Sequence, residues 1–165
     1  MPLYLSPVSF VADSKGPVNM RPLVVLVFGA LLLAACSKPA PPAGRWEGTY
    51  ESGDTFIAAR LEIAGASQVR ISAPDVTDSG VASEDDRVQM RQNMAARLAG
   101  GWGEIAPRPM DFDGTIFRKP GGIAPQIEWD AGSKTMTLYV YLGTQPAIKI
   151  AMKPVSDFSD DPWPK

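Results

Sequence analysis

Thr135-Met136-Thr137-Leu138-Tyr139-Val140-Tyr141-Leu142 sets Met136, Leu138, Val140 and Leu142 on one side of an extended chain and four hydroxyl-bearing side chains on the other. A repeat of two is the pattern of a half-buried β-strand; a helix would scatter both sets around its axis. Gly143-Thr144-Gln145-Pro146 supplies a turn, and Ile148, Ile150 and Met152 repeat the alternation over Ala147 to Val155. Upstream, Asp130-Ala131-Gly132-Ser133-Lys134 is a second turn, leading back to a strand over Gln126 to Trp129. Connections this short cannot hold a crossover helix, so the strands run antiparallel.

The same pattern extends toward the N-terminus. Phe112 to Arg118 alternates, as do Arg45 to Glu51, Thr55 to Ile63 and Val69 to Ala73. In the second of these, Trp46, Gly48 and Tyr50 share a face; in the third, Ile57, Ala59, Leu61 and Ile63 face in while Arg60 and Glu62 face out. Ser83-Glu84-Asp85-Asp86 reads instead as a helix start, with a serine N-cap and acids where the helix dipole favours them. Gly100-Gly101 is expected to stop that helix after Ala99. The fold class is therefore mainly β, a small antiparallel barrel or sandwich of about seven strands with one helical insertion over about 84–99. The domain is expected over 45–155. The tail 156–165, with three aspartates and two prolines, is expected to be flexible.

Leu23 to Leu33 reads LVVLVFGALLL, an uncharged run preceded by Arg21 and followed by Ala34, Ala35 and Cys36. It has the basic start, apolar middle and small-residue end of an export signal, and it is shorter than the roughly 20 apolar residues that span a bilayer. Leu33-Ala34-Ala35-Cys36 resembles the lipobox of bacterial lipoproteins. That resemblance implies lipidation of the Cys36 thiol, cleavage just before it, and removal of residues 1–35. Ser37 after the cysteine implies sorting to the outer membrane, on its periplasmic side, rather than retention in the inner one. Met20 is an alternative start, because the segment before it adds nothing an export signal needs. Residues 36–44, with Pro39, Pro41 and Pro42, form a semi-rigid tether whose last eight residues reach about 25 Å.

Composition narrows the chemistry. Of 16 basic and 18 acidic side chains, Lys15, Arg21 and Asp13 leave with the signal, so 14 basic and 17 acidic ones remain on 130 of the 165 residues. A net negative domain argues against nucleic acid as partner. Cys36 is the only cysteine, and there is no histidine. With the thiol lipidated, thiolate nucleophiles, disulfides, Ser-His pairs and the usual zinc ligand sets are all removed. No metal or cofactor is expected.

Three motifs carry candidate chemistry. Asp111-Phe112-Asp113-Gly114-Thr115-Ile116 resembles the first motif of haloacid-dehalogenase-type phosphatases, which implies Asp111 as nucleophile and Asp113 as general acid on a magnesium-held phosphate. That motif needs a buried strand before it, whereas Pro107 and Pro109 precede it here. Gly44-Arg45-Trp46 resembles the G-x-W opening of lipocalins, in which tryptophan plugs the barrel base under an arginine; the late strand here offers Lys149 and Lys153 instead. On the helix, Arg87, Met90, Arg91 and Met94 share an arc that could touch an anionic amphiphile, or could simply pack on the sheet. Gly132-Ser133-Lys134-Thr135 lacks the earlier glycine of a phosphate loop and reads as a hairpin turn.

The expected function is a membrane-anchored, non-catalytic periplasmic module that binds an envelope component or an apolar ligand. One alternative is a structural envelope protein that meets its partner through Phe158 and Trp163. The other is a carboxylate-dependent hydrolase using Asp111 and Asp113.

Overall fold

The computed structural model describes residues 40–163 apart from residue 67. The signal peptide, the Leu33-Ala34-Ala35-Cys36 motif with its lipidation site, the start at Met20 and the first part of the tether lie outside the described residues, as do residues 164–165.

Chain order is β1 (Gly44–Ser52), β2 (Thr55–Gly65), β3 (Gln68–Ser72), β4 (Asp75–Thr77), α1 (Glu84–Gly101) running into a 3-10 turn (Trp102–Glu104), β5 (Asp111–Phe112), β6 (Ile116–Arg118), β7 (Pro125–Asp130), β8 (Thr135–Val140) and β9 (Ile148–Val155). All nine strands pair antiparallel in one curled, half-barrel sheet ordered β3-β2-β1-β9-β8-β7-β6-β5, with β4 alongside the start of β2. Nine rather than seven arise from two local effects. Asp113-Gly114 breaks Phe112–Arg118 into β5 and β6, with Gly114 at φ 110° where a side chain would be strained. The chain after Ala73 also returns along β2 as β4. β8 stops at Val140 rather than Leu142; just beyond it the Tyr141 hydroxyl donates to the Pro125 carbonyl at 2.7 Å.

The inner face of the curl holds the core. Ile57, Leu61 and Ile63 of β2 meet Phe117, Ile127, Met136, Leu138 and Ile150, all essentially without exposure. Trp46 closes the end at which β1 begins, 5% exposed, its ring lying against Gly44. Lys149 stands over the ring of Tyr139 at 5.2 Å, with β9 pairing Lys149 to Tyr139 across the ladder, so it does not supply a cation across Trp46.

The outer face of β2 is buried as well. Phe56 and Ala58 lie beneath Met94 and Leu98 of α1. The helix starts as read: the Asp86 amide donates to Ser83 Oγ at 3.2 Å and the Ser83 amide to Asp86 Oδ2 at 2.9 Å. It does not stop at Ala99. Gly100 and Gly101 stay helical and the 3-10 turn follows; there Trp102 stands edge-on to Phe158, 4.7 Å between ring centroids, with the Arg70 guanidinium over its ring at 5.4 Å.

Residues 156–163 are a packed strap rather than a flexible tail. Trp163 is 8% exposed, edge-on to Phe56, and its indole N–H donates to the Arg91 carbonyl at 3.2 Å. Midway along the strap, Ser159 meets the cross-strand pair Glu47 and Arg60: its amide donates to Glu47, and its carbonyl accepts from Arg60 at 2.6 Å. Phe158 lies under the Arg60 guanidinium at 5.0 Å. Burial pushes the Glu47 carboxyl up, opposed by the Ser159 N–H and the Arg60 charge. The aspartates that suggest a solvated tail remain at its surface, while its two aromatic rings cover the sheet.

Candidate functional site

The segment Arg108–Phe112 serves both edges of the sheet. Arg108 exchanges two backbone hydrogen bonds with Val69, at 3.0 and 2.8 Å, and the Met110 amide donates to Ala66 at 2.7 Å. Immediately afterwards the same segment is β5, paired with β6 through Asp111 and Arg118. One short stretch thus pins the β3 edge to the β6 edge, but only near the Trp46 end. Beyond Val69, β3 has no strand partner on that side among the described residues.

The unzipped part of this seam is a cleft of about 500 Å³. Ile71, Ala73, Leu138 and Val140 form its apolar lining, and the loop Lys119–Ala124 overhangs it. A second hollow of about 320 Å³ continues along the seam over Val69, Pro109 and Met110, and shares Ile71, Lys119 and Gln126 with the first. Both volumes fall in the range of small-molecule sites, about 300–1,000 Å³. Leu138, 2% exposed, belongs to the core and to the cleft, so the cleft reaches the interior while the middle of the curl is filled. Ile123 on the overhanging loop is 93% exposed, and Tyr141 beside it 42%. This lip adds apolar surface where a Pro/Gly loop ordinarily presents polar groups.

The strand directions place the cleft. β1 enters at Gly44 opposite Ile63, and Arg45 lies opposite Val155. Val140 opposite Ile148 and Ser52 opposite Thr55 mark the other end; Val140 lies there, while Ile71 opposite Leu61 and Ala73 just past Ser72 lie midway along the sheet. The cleft therefore runs from mid-sheet, at Ile71, to the end marked by Val140.

The four helix residues singled out from sequence lie elsewhere. Arg87 donates to Glu51 at 2.8 Å; Arg91 forks onto both oxygens of Glu51 at 2.8 and 3.0 Å and also reaches Glu84 at 2.8 Å. These bonds hold the Glu51 carboxyl below its ordinary range, Arg91 contributing most. Met94 is buried against Phe56, with Met90 partly buried beside it. The arc clamps the helix to the end of β1.

Asp111 and Asp113 are turn residues. Asp113 Oδ1 accepts the Thr115 and Ile116 amides at 2.9 and 2.8 Å, and Oδ2 accepts from Arg118. Asp111 Oδ2 accepts the Gly121 amide at 3.1 Å. Neither lines either hollow. The Arg118 hydrogen bond first, then the two amides, hold the Asp113 carboxyl down at about 2, against an ordinary 3.8. A carboxyl so held carries no proton to donate near neutrality. Because its folded-state value is depressed, the stability it contributes is fully present above about pH 4 and is lost as pH falls through about 2. Asp113→Asn is expected to lower stability at pH 6 and to change it little at pH 2; urea unfolding at both values checks this, and an equal loss at both would overturn it.

Gly132-Ser133-Lys134 is a hairpin turn, with Asp130 accepting from the Gly132 amide at 2.9 Å and from the Ser133 hydroxyl at 2.6 Å. Among the described residues, no three His, Cys, Asp or Glu side chains converge on a common point.

No known protein family, curated protein or solved structure matches this chain.

Sequence reasoning identified Leu138 and Val140 as inward-facing but missed Ile71, Lys119, Ile123, Gln126 and Arg108 as neighbours of one opening. The available signal was Ile123, a large aliphatic residue inside Pro120-Gly121-Gly122-Ile123-Ala124-Pro125.

Proposed function

We propose that this chain is a lipoprotein anchored through Cys36 to the periplasmic side of the outer membrane, and that its β domain is a non-catalytic module that binds the apolar part of a small molecule or envelope component. The observation that carries the binding role is the seam cleft: a hollow of mixed lining whose apolar wall, Ile71, Ala73, Leu138 and Val140, is continuous with the core and which is lipped by exposed Ile123 and Tyr141. Apolar burial contributes about 25 cal/mol per Å², so a chain that covers these side chains gains affinity without any catalytic group.

Two experiments test the two halves. Cys36→Ser is expected to abolish both membrane retention and labelling by a fatty-acid probe; retention of both would overturn the anchor. For the cleft, membranes carrying the full protein are treated with a diazirine-bearing hexadecanol and the cross-linked peptides mapped. Labelling is expected on the peptides holding Ile71, Ile123 and Val140, falling at least about fivefold in Ala73→Phe, which fills the hollow with apolar volume. Labelling spread evenly over the surface, unchanged by Ala73→Phe, would overturn the binding reading.

A further inference from the structure

We infer that the cleft selects an amphiphile with an anionic head: the apolar chain lies along the unzipped seam and the head rests on Lys119 and Arg108. This rests on the binding role proposed above and adds the charge of the ligand.

The argument is the distribution of charge. Acidic side chains outnumber basic ones over residues 36–165, 17 to 14, yet the charged residues lining the two hollows are Lys119 and Arg108, with no acid among them. Elsewhere the arginines are matched closely, whereas the lysines Lys134, Lys149 and Lys153 form no ion pair among the described residues. Arg45 pairs with Glu62 and Asp157, Arg60 with Glu47, Arg70 with Glu62, Arg87 and Arg91 with Glu51, and Arg118 with Asp113. Six of the eight described arginines are thus ion-paired, and Arg97 donates to the Asp75 carbonyl. Arg108 and Lys119 form no ion pair among the described residues.

Two unmatched cations beside an apolar hollow in an acid-rich domain favour one ligand sign over the other. Lys119 lies in the lining of both hollows, at their common wall, so a head bound there leaves the chain free to follow Ile71 toward Leu138 and Val140. An ammonium and a guanidinium both recognise carboxylate and phosphate oxygens through charge-assisted hydrogen bonds. A cationic head at this place would meet repulsion, and a neutral one would gain no charge-assisted bond.

The test uses the full protein in its membrane and four diazirine-bearing sixteen-carbon probes that differ only in their heads: carboxylate, phosphate monoester, alcohol and trimethylammonium. Both anionic probes are expected to label the cleft peptides about tenfold more than the alcohol, about the effect of one charge-assisted contact. The trimethylammonium probe is expected to label least. Lys119→Met with Arg108→Met should bring the anionic probes down to the alcohol, and Lys119→Met alone should do so in part; both side chains are exposed, so the fold does not depend on them. Stronger labelling by phosphate than by carboxylate identifies a phospholipid-type source, and the reverse a fatty-acid-type one. Equal labelling by all four probes, or anionic labelling unchanged in the double variant, overturns the charge inference and leaves the binding role standing. No cleft labelling by any probe overturns the binding role itself.

Discussion

Gly48→Ala is expected to destabilise the domain by about 1–3 kcal/mol, although alanine suits a strand better than glycine does. A Cβ at this position would lie 2.7 Å from the Ala151 carbonyl oxygen, 2.7 Å from Met152 Sδ and 2.9 Å from Ile150 Cγ2. The methionine can move, but the carbonyl belongs to β9, and shifting it disturbs the β1–β9 ladder that joins the first strand to the last. The overpacking cost therefore exceeds the entropic gain of about 0.5–1 kcal/mol from removing a glycine. In a domain of this size the change corresponds to a fall in Tm of roughly 4–12 °C. Gly100→Ala is the matched control: nothing lies within 4 Å of a Cβ there, the position is helical, and a gain of up to about 1 kcal/mol is expected. Thermal unfolding of the two variants should shift in opposite directions, and a Gly48→Ala protein as stable as the parent would show that β9 does not approach so closely.

Losing the strap is expected to cost more. Trp163→Ala removes a buried indole and its hydrogen bond to Arg91, and substitutions of this kind cost about 3–5 kcal/mol. Truncation after Val155 goes further. It uncovers Phe56 and takes the Ser159 amide from Glu47 and the Ser159 carbonyl from Arg60, two side chains that are 7% and 5% exposed in the intact fold. Arg60 Nε already lacks a partner, so the pair has little hydrogen bonding in reserve. Urea unfolding should show a midpoint sharply lowered in Trp163→Ala and a truncated protein without a cooperative transition. A truncated domain that unfolds at the parent's midpoint would return residues 156–163 to the role of a solvated tail.

The sheet was legible because its signal is local. Met136, Leu138 and Val140 alternate over a handful of residues, and their partners Ile148, Ile150 and Met152 lie just past one short turn. The helix start was equally local, since Ser83 and Asp86 satisfy each other. The strap was not legible. Its aspartates and prolines are a loop composition, and the burial of Trp163 depends on Phe56 and Ala58, outward-facing apolar residues of a strand whose inner face alone explained the pattern. The cleft was hidden for a similar reason: it exists where pairing stops beyond Val69 and Arg108, which are far apart in sequence. The arginines on α1 were visible as a cluster, but Glu51, which matches them, lies at the far end of β1.

The first strand hydrogen-bonds to the last, and the final aromatic residue seals the outside of the second strand. Parts of β1 and β2 therefore lack their full surroundings until Lys153–Val155 and Trp163 are in place. Folding of this sheet is thus completed from its C-terminal side: β1 and β2 stay open to water until β9 and Trp163 close over them.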